Sequence, residues 1–171
     1  YDLAGRIAGI THRAPDNVIT AAFGYTYDAV GRRVGATTSD GTWTYAYDLT
    51  DQLIRAVFAS TNPGVPSQDL AYEYDALGNR VRTVINGATT SYTANSLNQY
   101  TTAGSTTFAY DLDGNLIQEI GPSGTKTYTY DLQNRLRSVQ TPQGLWQYEY
   151  DVLGNRAAVI VGGQRTEYLI D

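Results

Sequence analysis

Hydrophobic and polar side chains alternate with a period of two along several short stretches of the chain. Trp43, Tyr45 and Tyr47 are separated by Thr44 and Ala46. Successive side chains point to opposite faces of a β-strand, so this alternation predicts strands with one aromatic face and one small or polar face. Tyr supplies 15 residues and favours strands, whereas no run of apolar residues has helical spacing. The pattern therefore predicts an all-β protein.

A short phrase recurs along the chain: an aromatic residue, any residue, Tyr, Asp, two spacers, and then Gly, Asn or Asp. Copies begin at Tyr25, Tyr45, Tyr72, Tyr92, Phe108, Tyr128 and Tyr148. The position before the Asp falls at residues 1, 27, 47, 74, 94, 110, 130 and 150, and a ninth copy would place Ile170 there. A period near 20 residues predicts small units that each pack on their neighbours. We expect residues 1–171 to form a single array, as a fragment of a longer protein.

The phrase itself predicts a tight turn. Its Asp can accept hydrogen bonds from nearby backbone N–H groups, and its last position holds residues that tolerate positive φ. The predicted turn residues are Asp2 and Gly5, Asp28 and Gly31, Asp48 with Asp51, Asp75 and Gly78, Asn95 and Asn98, Asp111 and Gly114, Asp131 and Asn134, and Asp151 and Gly154. Pairs such as Asp40-Gly41 and Asn86-Gly87 predict a second turn, a hairpin, within each repeat. The result is an antiparallel meander of about eight hairpins.

Stacking the repeats places their aromatic residues in a ladder. Its predicted members are Tyr25, Tyr27, Tyr45, Tyr47, Tyr72, Tyr74, Tyr92, Phe108, Tyr110, Tyr128, Tyr130, Tyr148 and Tyr150. Because they are strictly periodic, we interpret them as packing residues of the unit. Large aliphatic residues are too few for a second layer, so we expect a twisted, curved single sheet. Trp43 and Trp146 are the alternative candidates, as rings that stack on a sugar ligand.

Other candidate chemistry is weak. The aligned Asp residues suggest calcium, but that ion requires six to eight oxygens and each turn offers one carboxylate, so we predict no metal and no cofactor. Arg6, Arg32 and Arg135 follow the left-handed position; they either pair with an Asp of an adjacent repeat or lie in solvent. His12 has no nucleophile beside it. The sequence therefore predicts no catalytic residue and no enzyme.

Composition narrows the possible partners. The net charge of −5 and the pI of about 4.7 argue against binding nucleic acid. No Cys is present, which excludes disulfides and thiolate metal sites. No apolar run is long enough to span a membrane.

The phrase Tyr-x-Tyr-Asp-x-x-Gly-[Arg/Asn], at steps of about 20 residues, resembles the signature of the Rhs/YD-repeat family. Tyr128 to Leu136 and Tyr148 to Arg156 are similar to its consensus. The family includes bacterial Rhs toxins, shell proteins of insecticidal toxin complexes and teneurin-like shells. The resemblance implies a segment of a spiral β-shell or cocoon, a secreted or cell-surface location and, in toxin-type members, an enclosed C-terminal toxin domain. It carries no catalytic residue over to this chain.

Three functions remain open. The leading hypothesis is a non-catalytic shell segment that encloses or scaffolds a toxin or effector domain. The alternatives are an extracellular adhesion or carbohydrate-binding module, and an element that self-assembles through its edge strands. The expected partners are neighbouring YD repeats of the same or another chain, the toxin domain, or glycans.

Overall fold

The computed structural model describes residues 1–168, and all its regular elements are β-strands. Sixteen strands in this part of the chain pair in sequence order, each antiparallel to the next. The prediction of an all-β antiparallel meander in a single sheet is confirmed. The ninth phrase, predicted around Ile170, falls on residues 169–171 and lies outside the described residues.

The chain divides into two compact units, Tyr1–Ser91 and a second that begins at Tyr92. The first contains β1 (Gly9–Arg13), β2 (Ile19–Tyr27), β3 (Arg33–Thr38), β4 (Gly41–Tyr47), β5 (Leu53–Ser60), β6 (Gln68–Tyr74) and β7 (Arg80–Ile85). Strand β8 (Ala88–Ala94) runs across the boundary. The second contains β9 (Tyr100–Ala103), β10 (Thr106–Tyr110), β11 (Leu116–Gly121), β12 (Gly124–Tyr130), β13 (Leu136–Thr141), β14 (Gly144–Tyr150), β15 (Arg156–Val161) and β16 (Gln164–Glu167).

Seven of the eight described phrase turns are followed by a β-bulge. Thr26 pairs with Gly35, but Tyr27 pairs with Arg33, so Val34 is an extra residue on β3. The same shift recurs before Tyr47, Tyr74, Ala94, Tyr110, Tyr130 and Tyr150. Because a bulge locally increases strand twist, the periodic sequence places a twist at the same point of each repeat.

The steps from residue 1 to 27 and from residue 47 to 74 are longer than 20 residues, and their Pro and turn-forming residues predict loops at residues 11–17 and 59–68. In the first of these segments, Thr11 to Arg13 belong to β1, and residues 14–18 form the loop to β2. The segment at residues 59–68 keeps a true loop between β5 and β6. Asn62 and Ser60 anchor that loop through hydrogen bonds to Asp40.

Buried side chains are few, as expected for one layer of strands. Among the described residues the buried hydrophobic ones are Ala36, Ala56, Phe58 and Ala158, and no large side chain is fully buried. In the first unit the register sets Ala36 and Phe58 beside Trp43 on the neighbouring strands. The aromatic face thus packs laterally along the sheet, with small residues between rings.

Candidate functional site: the row of Asp turns

The phrase turn has the same hydrogen bonds in all eight described copies. In the second copy, Oδ1 of Asp28 accepts from the backbone N–H groups of Val30 and Arg32 at 3.1 and 2.9 Å. The backbone closes around it, since Gly31 N–H donates to the Asp28 carbonyl and Asp28 N–H to the Arg32 carbonyl. Asn95 makes the same two Oδ1 contacts, with Leu97 and Gln99. One side-chain oxygen therefore organises each turn.

The fourth position of the turn is left-handed in every copy. Gly5, Gly31, Gly78, Gly114 and Gly154 have φ between +76° and +96°. Where the sequence has no Gly, Asp51, Asn98 and Asn134 adopt φ between +58° and +66°. These are the non-Gly residues for which this region is least costly.

Gly114→Val should destabilise the protein by about 1–2 kcal/mol, because a β-branched residue is strained at positive φ. A Cβ at Gly114 would meet the end of the flexible Gln99 side chain at 3.3 Å, so most of the cost comes from the backbone. Leu112→Val, at an exposed spacer of the same turn, is the control. Equal losses of unfolding free energy in urea titrations would contradict the turn assignment.

The arginines at the fifth position bind within their own turn. Nε of Arg6, Arg32 and Arg135 donates to Oδ2 of the Asp four residues earlier, at 2.6 to 2.7 Å. Arg32 also pairs with Asp51 of the next turn at 2.6 Å. Of the two possibilities left open by the sequence, pairing with an adjacent repeat holds for Arg32. The sequence analysis did not predict the ion pair between each of these arginines and the Asp of its own turn.

Hydrogen bonds join several consecutive turns within each unit. The Arg6 guanidinium donates to the carbonyl of Asp28 at 3.1 Å, and that of Arg32 to the carbonyl of Asp48 at 3.3 Å. In the second unit, Asn115 Nδ2 donates to Oδ1 of Asn134 at 2.9 Å. The turns thus form a row along one end of the strands of each unit, which we call the turn row.

These hydrogen bonds lower the pKa of seven turn carboxyls. For Asp28, Asp75, Asp111 and Asp151 the main cause is the side chain at the fifth position, and for Asp2 and Asp48 it is the backbone N–H of that residue. For Asp131, partial burial raises the pKa, but bonds from the backbone and side chain of Arg135 outweigh it. The carboxylates are therefore held in the charged form.

The Tyr that precedes each Asp fastens its repeat to the preceding strand. The hydroxyl of Tyr150 donates to the carbonyl of Leu136 at 2.8 Å. The same bond, at 2.7 to 3.0 Å, joins Tyr27 to Ile7, Tyr47 to Arg33, Tyr74 to Leu53, Tyr110 to Tyr100 and Tyr130 to Leu116. In each case the acceptor is the first residue after the preceding phrase turn, so the Tyr hydroxyl links successive turns.

Tyr150→Phe should cost about 0.5–1.5 kcal/mol, because it removes the hydroxyl that donates to the Leu136 carbonyl. Tyr148→Phe is the matched control in the same phrase. The equivalent first position already holds Phe at Phe108, so we expect little loss there. Thermal melting of both variants tests this, and a larger loss for Tyr148→Phe would contradict the assigned role of the hydroxyl.

Arginines also lie over the rings of the ladder. Arg33, Arg80 and Arg156 cover the first aromatic residue of the phrase eight residues earlier, at 4.3 to 5.2 Å from the ring centre. Tyr100 fills the same position against Tyr92, with centroids 5.4 Å apart. Cation–π contacts at exposed sites contribute about 0.5–1 kcal/mol each. The sequence analysis missed this contact. The two residues are always eight positions apart, but the second of them is Arg in some repeats and another residue, such as Tyr100, in others.

The two tryptophans differ in their surroundings. The Trp43 ring packs on Phe58 at 5.0 Å and beside Tyr45 at 6.0 Å. Trp146 lies half-buried on β14, with Val139 and Val161 at the paired positions of the adjacent strands. The rest of the ladder is likewise half-buried on its strands. The Trp43 ring is thus engaged in lateral packing within the sheet.

Other candidate chemistry has no assembled site. Within residues 1–168, no three or more His, Cys, Asp or Glu side chains are grouped so that they could hold a metal ion. His12 lies exposed on β1, edge-on to Phe23 at 6.1 Å. No helix in the described part of the chain has the length and apolarity to cross a bilayer.

The fold and the turn row define a β-repeat array. Its repeated polar residues form hydrogen bonds within their own repeat or with an adjacent one. Comparison with known proteins agrees with this class. The RHS repeat family model matches residues 110–145. This match and the recurrence of the phrase along the chain agree with the resemblance to the Rhs/YD-repeat family. No curated protein sequence matches the chain significantly.

Solved toxin-complex structures share the fold. The chain is similar to the crystal structures of TcdB2–TccC3–Cdc42 (TM-score 0.63, 19% identity, 90% of this chain) and of TcdB2–TccC3 without its hypervariable C-terminal region (TM-score 0.64, 19% identity, 89% of this chain). It is also similar to a Tc holotoxin pore of Photorhabdus luminescens (TM-score 0.53, 15%, 94%). The chain spans 9 to 13% of the length of those chains.

Proposed function

We propose that the chain is a non-catalytic segment of an Rhs/YD-repeat β-shell that encloses or scaffolds a toxin or effector domain for secretion or delivery. The observation that carries this proposal is the use of the repeated polar groups. The turn Asp, the fifth-position side chain and the second Tyr bind groups of their own or a neighbouring repeat. Because these groups bond within the array, they are suited to holding its repeats together.

A single layer of paired strands suits a wall. Each strand satisfies the backbone groups of its neighbours, so the sheet needs no second layer to cover unpaired polar atoms. The absence of large, fully buried side chains among residues 1–168 agrees with a barrier that has two accessible faces. The similarity to TcdB2–TccC3 adds support, because one of those structures is described as lacking a hypervariable C-terminal region.

The experiment uses the full-length protein that contains this segment. Limited proteolysis should leave the domain that follows the array intact for longer than the same domain expressed alone. The array variant Phe58→Ala, which opens the wall, should shorten that protection, while the exposed-site variant Ile54→Ala should not. Equal digestion of the domain with and without an intact array would contradict enclosure.

The carbohydrate-binding alternative has less support, since the Trp43 ring is occupied by Phe58 and Tyr45. Glycan-array binding that is lost in both Trp43→Ala and Trp146→Ala would favour it.

The alternative of self-assembly through edge strands rests on β1 and β16, whose side chains are all exposed. Unpaired edge strands can pair with a strand of another chain. Concentration-dependent light scattering that a Pro substitution in β1 abolishes would favour that reading.

A further inference from the structure

Two charged residues of the second unit depart from the repeat pattern. Asp113 is the second spacer of its turn, a position that the other copies fill with uncharged residues: Ala4, Val30, Thr50, Leu77, Leu97, Gln133 and Leu153. Arg137 lies nine residues after the first aromatic residue of its phrase, where the other copies have Val34, Ile54, Val81, Thr101, Ile117 and Ala157. The repeat itself therefore needs neither charge, and local exceptions of this kind are expected at functional sites.

Asp113 and Arg137 line the same groove. The groove has a volume of about 720 Å³, and its walls include the aromatic residues of two successive phrases, Tyr128, Tyr130, Tyr148 and Tyr150. Three of these four hydroxyls already donate to oxygens of the chain, so the rings offer mainly apolar surface to the groove. A volume of this size lies in the range of small-ligand sites.

The charges of Asp113 and Arg137 are exposed and unpaired. Neither side chain has an ion pair or a hydrogen bond within residues 1–168. The neighbouring charged groups are engaged, since Asp131 pairs with Arg135 at 2.7 Å and Asp111 accepts three hydrogen bonds within its own turn. A ligand can thus meet one free anion and one free cation without displacing an existing bond.

The topology sets the separation of these two charges. Asp113 lies in the turn before β11 and Arg137 near the start of β13, and β12 pairs with both strands. Two strand spacings amount to about 10 Å. The ammonium and carboxylate of a free amino acid share one carbon atom and cannot span this distance. An extended peptide of about three residues reaches about 10 Å and can.

We propose that this groove binds a short zwitterionic peptide of about three residues. The ammonium of the peptide pairs with the Asp113 carboxylate, and its carboxylate accepts hydrogen bonds from the Arg137 guanidinium, whose planar fork matches that group. The central side chain packs against the rings of Tyr128 and Tyr148. Opposite charges at the two ends fix the direction of the peptide. The proposal goes beyond the shell function, since it concerns a ligand of the array itself and requires no enclosed domain.

NMR titration of the isotope-labelled chain with the tripeptide Ala-Phe-Ala tests the proposal. We expect chemical-shift changes centred on β11 to β14 and their turns. Asp113→Asn and Arg137→Gln should each raise the dissociation constant at least about tenfold. Both side chains are exposed and unpaired, so circular dichroism and melting should not change. Arg13→Gln, at an exposed cation of the first unit, is the control and should bind like the wild type.

Blocked peptides identify the groups that are recognised. Acetylation of the N-terminus removes the ammonium and should weaken binding to the wild type at least about tenfold. It should have little further effect on Asp113→Asn, because that variant has already lost the partner of the ammonium. C-terminal amidation should have the same relation to Arg137→Gln.

Each other outcome overturns the proposal. The absence of shift changes shows that the groove binds no such peptide. Equal binding of blocked and free peptides assigns the affinity to the aromatic rings alone, and shift changes centred outside the second unit place the site elsewhere. None of these results bears on whether the array protects a following domain.

Discussion

Phe58→Ala is expected to destabilise the protein by about 3–5 kcal/mol, the usual cost of removing a buried aromatic side chain. Phe58 is 4% exposed and is the only large hydrophobic side chain among the buried residues of the described chain. Its ring packs on Trp43 at 5.0 Å across the β4–β5 pair. In a single-layer sheet few atoms can move into the space that the substitution leaves, so little of the loss is recovered.

Equilibrium unfolding in urea, followed by circular dichroism, measures the effect. Ile54→Ala on the same strand is the control, because Ile54 is 37% exposed and should cost much less. Similar free energies of unfolding for the two variants would show that burial against Trp43 does not stabilise this part of the array.

Acidification should produce the second large effect. The pKa of each of the seven turn carboxyls is lowered in the folded protein, mainly by hydrogen bonds within the turn and, at Asp131, against the opposing effect of burial. A group with a lowered folded pKa contributes stability above its unfolded pKa, near 3.9, and loses it as the pH falls through the folded value. We therefore expect stability to vary little from neutral pH to about 5 and to fall steeply below about 4.

Asn95 suggests a variant that separates charge from geometry. Its Oδ1 holds the turn as the carboxylates do, and its Nδ2 donates to Gln99 at 2.8 Å. The triple variant Asp75→Asn, Asp111→Asn and Asp151→Asn should melt somewhat lower at neutral pH but lose less stability in acid. The measurement is the slope of unfolding free energy against pH. An unchanged slope would assign acid sensitivity to groups outside the turn row.

The sequence predicted the parts of this structure that depend on local geometry. Alternating aromatics predicted β4 and β14, and the phrase contains the Asp and the residues that adopt positive φ. It did not predict the hydroxyl bond from Tyr150 to Leu136, because the acceptor is a backbone group that any residue supplies. The Arg156–Tyr148 contact was missed for a related reason, since Leu, Tyr and Arg alternate at that position. Pro15 and Asp16 lie in the loop that they indicate, but the pairing of Thr11 to Arg13 with β2 was not predicted, because the partner strand is not part of the local sequence.

The Tyr hydroxyl bond has a consequence for how such proteins change over generations. Each one reaches only the strand before it, from Tyr130 to Leu116 or from Tyr150 to Leu136. A duplicated stretch of 20 residues would bring both its own donor and its own acceptor, and a deleted stretch would take both away. Copy number is therefore free to drift by whole repeats, so that the length of the array can adapt while its chemistry stays the same.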